Sequence, residues 1–184
     1  MENIIFLDID GVLNDNGDNN FNLESVNVVK RLVEENSAKV VVISSWQGFG
    51  TKRRRNKTEE KLNSVGIDVY DFIDPNLEGD ICDMSLSYRC VGIVDYLKKN
   101  SLCNYIILDD EFHNDYRLMC FNYFKPSKWV GLKEKDYDKL YFKKVNLNIL
   151  NKVNYHYREL GAYEKSINNL VLTLKNIVEK KKNE

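Results

Sequence analysis

Two pairs of aspartates dominate the residues that could do chemistry. Asp8 and Asp10 come directly after a short apolar run near the start of the chain, and Asp109 and Asp110 come directly after another. In an extended chain the side chains of Asp8 and Asp10 point the same way. Carboxylates held together repel, so one must take up a proton or a cation must lie between them. Converging acids form an oxygen-ligand site for a hard cation, and Mg²⁺ is the expected cofactor.

The elements that must position these acids are three apolar runs of the kind found in strands buried on both faces of a sheet. They are residues 4–7, which lead into Asp8, residues 40–43, which lead into Ser44 and Ser45, and residues 105–108, which lead into Asp109. Helical spacing between the runs predicts an α/β fold, with a parallel Rossmann-like sheet and helices on both faces. Ligands bind such sheets at the carboxyl ends of the strands, where all three polar clusters lie.

Further elements follow from the same patterns. Apolar spacing predicts helices over residues 23–33, 56–65 and 88–100, and weaker strands over residues 67–72 and 117–121. Apolar stripes continue beyond these elements, one formed by Leu147, Leu150, Val153, Tyr157 and Leu160 and the other running from residue 163 to residue 178. We therefore expect a core domain over residues 1–145 and a C-terminal helical hairpin over residues 146–184.

Composition bounds the function classes. The chain has 184 residues, 43% of them apolar, and its formal net charge of −1 is not that of a polycation. The four cysteines form no C-x-x-C pair, which favours reduced thiols and a cytoplasmic protein. No apolar stretch approaches the roughly 20 residues that a membrane span needs, so no membrane partner is expected. A G-x-x-x-x-G-K-[ST] phosphate-binding loop is also missing, which argues against a kinase.

The acidic segments resemble the motifs of the haloacid dehalogenase (HAD) superfamily. Phe6-Leu-Asp-Ile-Asp-Gly-Val-Leu-Asn14 is similar to the first motif, D-x-D-G, Ser44 to the second, Arg89 to the third, and Ile106-Ile-Leu-Asp-Asp110 to the fourth. The likeness extends from residue 4 to about residue 143. Within it, residues 89–97, 105–110 and 130–136 resemble the small HAD domains of multifunctional RNA-repair proteins.

The resemblance implies a phosphatase with an aspartyl-phosphate intermediate. Asp8 is then the nucleophile and Asp10 the acid and base, with the backbone carbonyl of Asp10 as its usual metal contact. Ser44 donates a hydrogen bond to a phosphoryl oxygen and Arg89 neutralises charge, whereas Lys98 and Lys99 lie at the far end of the helix. Four residues are implied as metal ligands: Asp8, Asp10, Asp109 and Asp110.

Several residues near the motifs are candidates for substrate binding. Gly11 lets the chain turn sharply and lets a ligand approach the backbone. Asn14 and Trp46 flank the motifs and could shape the site, although Trp46 could equally be plain packing. Ser45 is an alternative to Ser44 for the phosphoryl contact.

The substrate is left open between two classes. Neither point at which the superfamily inserts a cap domain has room for one: residues 14–40 hold a single helix, and residues 73–87 are too few. The site should therefore be open, as in superfamily members that act on large substrates. Arg53 and Arg54, within the basic run 52–57, could bind a phosphate backbone.

The expected partner is thus a phosphorylated substrate, with RNA or DNA 3′-phosphate ends as one candidate and a nucleotide or metabolite as the alternative. A receiver-like phospho-accepting domain and an inactive binding domain are competing classes. The order of the motifs argues against the receiver and their completeness against the inactive domain. The oligomeric state and the role of the C-terminal helices do not follow from the sequence.

Overall fold

The computed structural model describes residues 1–15, 20–48, 50–81, 84–85, 87–111, 116, 121–127, 129–151 and 154–157, and of residues 78–81, 84–85, 149 and 154–157 the backbone alone. Strands in these ranges are β1 (Asn3–Leu7), β2 (Ala38–Val42), β3 (Val69–Phe72), β4 (Leu77–Ile81), β5 (Met84–Ser85), β6 (Asn104–Leu108), β7 (Tyr123–Phe124), β8 (Lys143–Lys144) and β9 (Asn154–Tyr157). Helices are α1 (Leu23–Asn36), α2 (Lys52–Asn63), α3 (Tyr88–Lys99) and α4 (Leu147–Leu150), with 3₁₀ turns at Ser45–Gln47 and Glu134–Lys139.

The main sheet has the order β3-β2-β1-β6-β7, and all of these neighbours run parallel. A sixth strand, β8, pairs antiparallel with β6 at Asn104 and Tyr105, the residues where β6 begins. The fold is therefore the expected α/β, Rossmann-like core.

The core lies on both faces of the sheet because side chains alternate along each strand. On β1, Ile4 and Phe6 face a cluster that includes residues of α3, whereas Ile5 and Leu7 face a cluster that includes residues of α1. All four side chains are fully buried. Burial on both faces explains why these strands are continuous apolar runs rather than alternating ones.

The helix ends follow local sequence signals. Asn22 caps α1, because its side-chain oxygen accepts from the backbone N–H groups of Glu24 and Ser25. Ser87 caps α3 in the same way, through the N–H of Cys90 at 3.2 Å. The Ser87 cap fixes where α3 begins, and with it the place of the residues in its first turn.

A second, smaller sheet has the order β5-β4-β9 and is antiparallel. Two of its strands, β4 and β5, lie between β3 and α3, so the described residues at that insertion point form a two-stranded hairpin rather than a cap domain. The third strand comes from the C-terminal part of the chain, with Leu77 opposite Tyr157 and Asp80 opposite Asn154.

The strand β9 corrects part of the predicted helical hairpin. The helix expected from residue 147 to residue 160 ends at Leu150, and residues 154–157 pair with β4 instead. The side chain of Leu150 is buried in the same cluster as α3, so this segment packs against the core. The rest of the predicted hairpin, residues 158–184, lies outside the described residues, as does most of the strand predicted over residues 117–121.

Among the helices described, none combines the length and the apolar character that crossing a membrane requires.

Candidate active site

The acidic residues meet at the topological switch point of the sheet, where the chain stops adding strands on one side of β1 and begins on the other. From β1 the chain proceeds to β2 and β3 on one side, and it later returns to β6 on the other side of β1. In parallel sheets the crevice at such a switch point is where ligands bind. Leu7 pairs with both Val42 and Leu108, so the residues that follow these three strands lie side by side.

Asp8 follows β1 and is buried, with 3% of its surface exposed. Burial raises the pKa of this carboxyl to about 7, because desolvation disfavours the charged form. The Arg89 guanidinium lowers the pKa of Asp8 and the Asp109 carboxylate raises it, whereas hydrogen bonds from the Ile9 N–H and the Ser44 hydroxyl lower it. Ionised Asp8 is therefore costly in the absence of a further positive charge.

Arg89 lies in the first turn of α3 and donates hydrogen bonds to two carboxylates. Its Nη1 donates to Oδ2 of Asp8 at 3.0 Å and to Oδ2 of Asp109 at 2.7 Å. Burial alone would lower the pKa of Arg89, but the charges of Asp8 and Asp109 raise it above its ordinary value. The guanidinium thus stays charged between the ends of β1 and β6.

Three buried carboxylates form the candidate metal centre. Among the described residues, Asp8, Asp109 and Asp110 each offer an oxygen, and these oxygens lie within 4.8 Å of one another. Hard divalent cations prefer such oxygen donors, so the donor set fits Mg²⁺. The Asp10 side chain is not part of this cluster, and contact through its backbone carbonyl stays a prediction.

Gly11 makes room for the carboxylate of Asp110. Its φ of +71° is a left-handed conformation that side chains rarely adopt. A Cβ built at this position would collide with the carboxylate of Asp110. The glycine of D-x-D-G is therefore required here by conformation and by the close approach of a candidate ligand.

The Asp10 carboxylate is held by two side chains outside the cluster of Asp8, Asp109 and Asp110. Trp46 Nε1 donates to Asp10 Oδ2 at 2.7 Å, and Asn14 Nδ2 donates to Asp10 Oδ1 at 3.1 Å. The Asn14 side chain also accepts from the Gly11 N–H at 3.1 Å. Asn14 and Trp46, expected near substrate, therefore contact Asp10 in this structure.

The serines after β2 have different surroundings. Ser44 is fully buried, hydrogen-bonds to Asp8 and accepts from the Trp46 N–H at 3.3 Å. Ser45 is exposed in the 3₁₀ turn. Of the two, the structure brings Ser44 to the acidic cluster.

Arg53 and Arg54, the arginines expected to bind a phosphate backbone, are exposed in the first turn of α2. The stem of Arg54 lies over Gly48, in the loop that follows the Ser45–Gln47 turn. The structure thus brings these cations to the loop after the second motif, and not into the carboxylate cluster.

Tyr116 belongs to the site and was missed from the sequence. It is fully buried, and its hydroxyl donates to Oδ2 of Asp109 at 2.8 Å. Burial raises the pKa of this phenol well above its ordinary value, and the Asp109 charge raises it further. No sequence motif identifies this tyrosine, because its contact with Asp109 depends on the course of the chain after β6.

Comparison with known proteins finds a matching family for the chain. No curated protein and no solved structure matches the chain. Residues 4–137 match the family described as the HAD domain in Swiss Army Knife RNA repair proteins. That match spans the acidic cluster, Arg89 and all strands of the parallel sheet, and it covers well over half of the chain. The chain belongs to this family of HAD domains.

Proposed function

We propose that the protein is a Mg²⁺-dependent phosphatase that hydrolyses phosphate monoesters through a phosphoryl group carried on Asp8. The observation that carries the proposal is the convergence of Asp8, Asp109 and Asp110 with the shared Arg89 guanidinium at the switch point of the sheet. Phosphoryl transfer depends on positioning and on positive charge near the phosphoryl oxygens, and a carboxylate cluster that holds a divalent cation beside an arginine provides both.

In the proposed reaction the chain's own residues make and break the bonds. A carboxylate oxygen of Asp8 attacks phosphorus while the ester P–O bond breaks, and Asp10 gives a proton to the leaving oxygen. Asp10 then takes a proton from the water that attacks the phosphorus, which releases inorganic phosphate and restores the Asp8 carboxylate. Ser44 and Arg89 hold phosphoryl oxygens during both steps.

The metal would be held by Asp8, Asp109 and Asp110. When bound, Mg²⁺ neutralises charge on the transferring phosphoryl group. The fit rests on the buried carboxylate cluster and on the space that Gly11 leaves beside Asp110.

The direct test measures release of p-nitrophenol from p-nitrophenyl phosphate, with and without Mg²⁺. The wild type should turn over only with the metal, and Asp8→Asn should be inactive because the neutral amide is a poor nucleophile. Asp68→Asn is the matched control, since Asp68 is exposed in the loop before β3. Turnover by Asp8→Asn at the wild-type rate would refute the mechanism.

For the substrate, we propose nucleic-acid ends that carry a 3′-phosphate. Four exposed cations at the start of α2 form no ion pair with any residue that the structure describes: Lys52, Arg53, Arg54 and Lys57. Three of them lie in the first turn, where the helix dipole already disfavours positive charge. A polyanionic ligand would offset that cost, and the family's occurrence in RNA repair proteins agrees with it.

The substrate is tested by comparing an oligonucleotide 3′-phosphate with a nucleoside 3′-phosphate across a salt series. kcat/KM on the oligonucleotide should fall steeply with salt. The slope of log kcat/KM against log salt concentration should become less steep by about 0.7 for each single-strand phosphate contact that is removed. The double variant Arg53→Gln with Arg54→Gln should flatten that slope. The control is Lys143→Gln with Lys144→Gln, because these exposed lysines on β8 pair with the start of β6, at the opposite edge from the site. Equal activity on the mononucleotide without salt dependence would favour a small-molecule phosphatase instead.

A further inference from the structure

The acid/base candidate Asp10 is held at both of its carboxylate oxygens. One oxygen accepts from the indole N–H of Trp46 at 2.7 Å and the other from the amide of Asn14 at 3.1 Å. Both donors are neutral groups that do not titrate in the working range of an enzyme. Two neutral donors, one on each oxygen, therefore fix the orientation of the carboxyl plane.

Trp46 is itself held from three sides. Its ring stacks on Phe21 with a centroid separation of 5.8 Å and an interplanar angle of 21°. The ammonium of Lys61 lies 4.3 Å from the centroid of the Trp46 ring, and the Trp46 backbone N–H donates to the Ser44 hydroxyl at 3.3 Å. These contacts hold the indole N–H towards Asp10. Through Ser44, which also hydrogen-bonds Asp8, they connect Trp46 to the nucleophile.

Asn14 completes the arrangement from the other side. It is fully buried, and its carbonyl oxygen accepts from the Gly11 N–H at 3.1 Å. This bond fixes which end of the amide faces Asp10, because the oxygen is already engaged and the nitrogen must donate. The turn of the D-x-D-G motif and the orientation of Asp10 are therefore coupled through one side chain.

We propose that Trp46 and Asn14 are positioning residues that aim the Asp10 carboxyl at the leaving-group oxygen. The inference rests on the proposed phosphatase function. Each carboxylate oxygen has two lone pairs, so one remains to carry the transferable proton while the other accepts the fixed hydrogen bond. The pair thus restricts the orientation of Asp10 without taking the proton that the reaction needs.

Leaving-group dependence separates positioning from a structural role. p-Nitrophenolate departs readily without full protonation, whereas an alkoxide must be protonated as it leaves. Trp46→Phe keeps a ring for the contacts with Phe21 and Lys61 and removes the N–H. We expect kcat/KM for an alkyl phosphate such as a nucleoside 3′-phosphate to fall by about tenfold or more, and that for p-nitrophenyl phosphate by less than about threefold.

The matched control is Trp129→Phe, because Trp129 is 70% exposed and remains outside the contacts described for Asp10. This variant should hydrolyse both substrates at wild-type rates. Equal losses on both substrates in Trp46→Phe would show a structural role and overturn the proposal, as would no loss on either.

The hydrogen bond itself is tested without turnover. The chain has two tryptophans, so two indole N–H resonances are expected in a ¹⁵N-labelled sample, and Trp46→Phe identifies one of them. That resonance should shift in Asp10→Ala and stay in place in Asp68→Asn. An unshifted resonance would overturn the proposal even in an active enzyme, whereas a wild type inactive on both phosphate esters would refute the proposed function instead.

Discussion

The buried Asp8 carboxyl makes a specific prediction about stability and pH in the metal-free protein. Its pKa is raised from an ordinary 3.8 to about 7, so between these values the folded state holds a proton that the unfolded chain has lost. Stability from this group is therefore highest at low pH and falls as pH rises towards 7. Asp8→Asn removes the titrating group, so the variant should be the more stable protein at pH 8.

The magnitude follows from the two pKa values. Integrating the difference in bound protons gives a loss of roughly 2–3 kcal/mol between pH 5 and pH 8 for the wild type relative to Asp8→Asn. For a chain of this size, that difference corresponds to a change in Tm of about 5–10 °C. The loss should level off above pH 8, because both states are then ionised.

The assay is thermal or urea unfolding of the two proteins at pH 5 and pH 8, with a chelator present. Asp68→Asn provides the surface control, and its stability should follow that of the wild type at both pH values. Adding Mg²⁺ at pH 8 should stabilise the wild type more than Asp8→Asn, because a ligand that binds the folded state stabilises it by mass action. Identical pH dependence in wild type and Asp8→Asn would refute the reasoning, since it would mean that ionised Asp8 costs nothing in the folded protein.

Three further substitutions test the neighbouring contacts. Gly11→Ala should raise the Mg²⁺ concentration for half-maximal activity by about tenfold or more, since its Cβ displaces Asp110 and its backbone is strained by about 1–2 kcal/mol. Tyr116→Phe should weaken Mg²⁺ binding by about tenfold in a metal titration, because Asp109 loses a hydrogen bond that orients it. Leu150→Ala should lower the free energy of unfolding in urea by about 2–5 kcal/mol, because this side chain is 2% exposed in the core that contains α3.

Each of these outcomes has a clear alternative. Wild-type metal dependence in Gly11→Ala would mean that Asp110 is not a ligand. The same result in Tyr116→Phe would mean that the Tyr116 hydroxyl is not needed to orient Asp109, which also accepts from Arg89 and from the Glu111 N–H. An unchanged free energy of unfolding in Leu150→Ala would support the predicted boundary at residue 145. The boundary at residue 145 stays a prediction; in the structure Leu150 of α4 is buried with residues of α3, and β9 pairs with β4.

The central part of the fold could be predicted because strands buried on both faces of a sheet are continuous apolar runs, which can be recognised in the sequence. β1, β2 and β6 are short apolar runs, and each ends at the polar residues that form the site. Their parallel arrangement then brings Asp8, Ser44 and Asp109 together without further information. Arg89 could be placed only by resemblance, because nothing in its local sequence separates it from a surface charge.

The second sheet could not be predicted because its pairing is long-range. Leu77–Ile81 contains two acids and a glycine, which lower its local preference for a strand, and its partner β9 is far away in the sequence. Leu147, Leu150, Val153 and Tyr157 have helical spacing, but pairing with β4 prevails over that periodicity at residues 154–157.

The strand β9 also has a consequence for the order in which the protein can fold. During synthesis, the parallel sheet has all its strands once residue 124 is available. The strand β4 can pair early with β5, but its second neighbour, β9, lies about 80 residues further along the chain. Contacts of such sequence separation form slowly, because the loop between them must be closed first. The hairpin β4–β5 ends just before α3, so the element that carries Arg89 is joined to a sheet completed late. The nascent chain should therefore form its parallel sheet before the surroundings of Arg89 are complete, and a released fragment that ends before residue 154 would capture that intermediate.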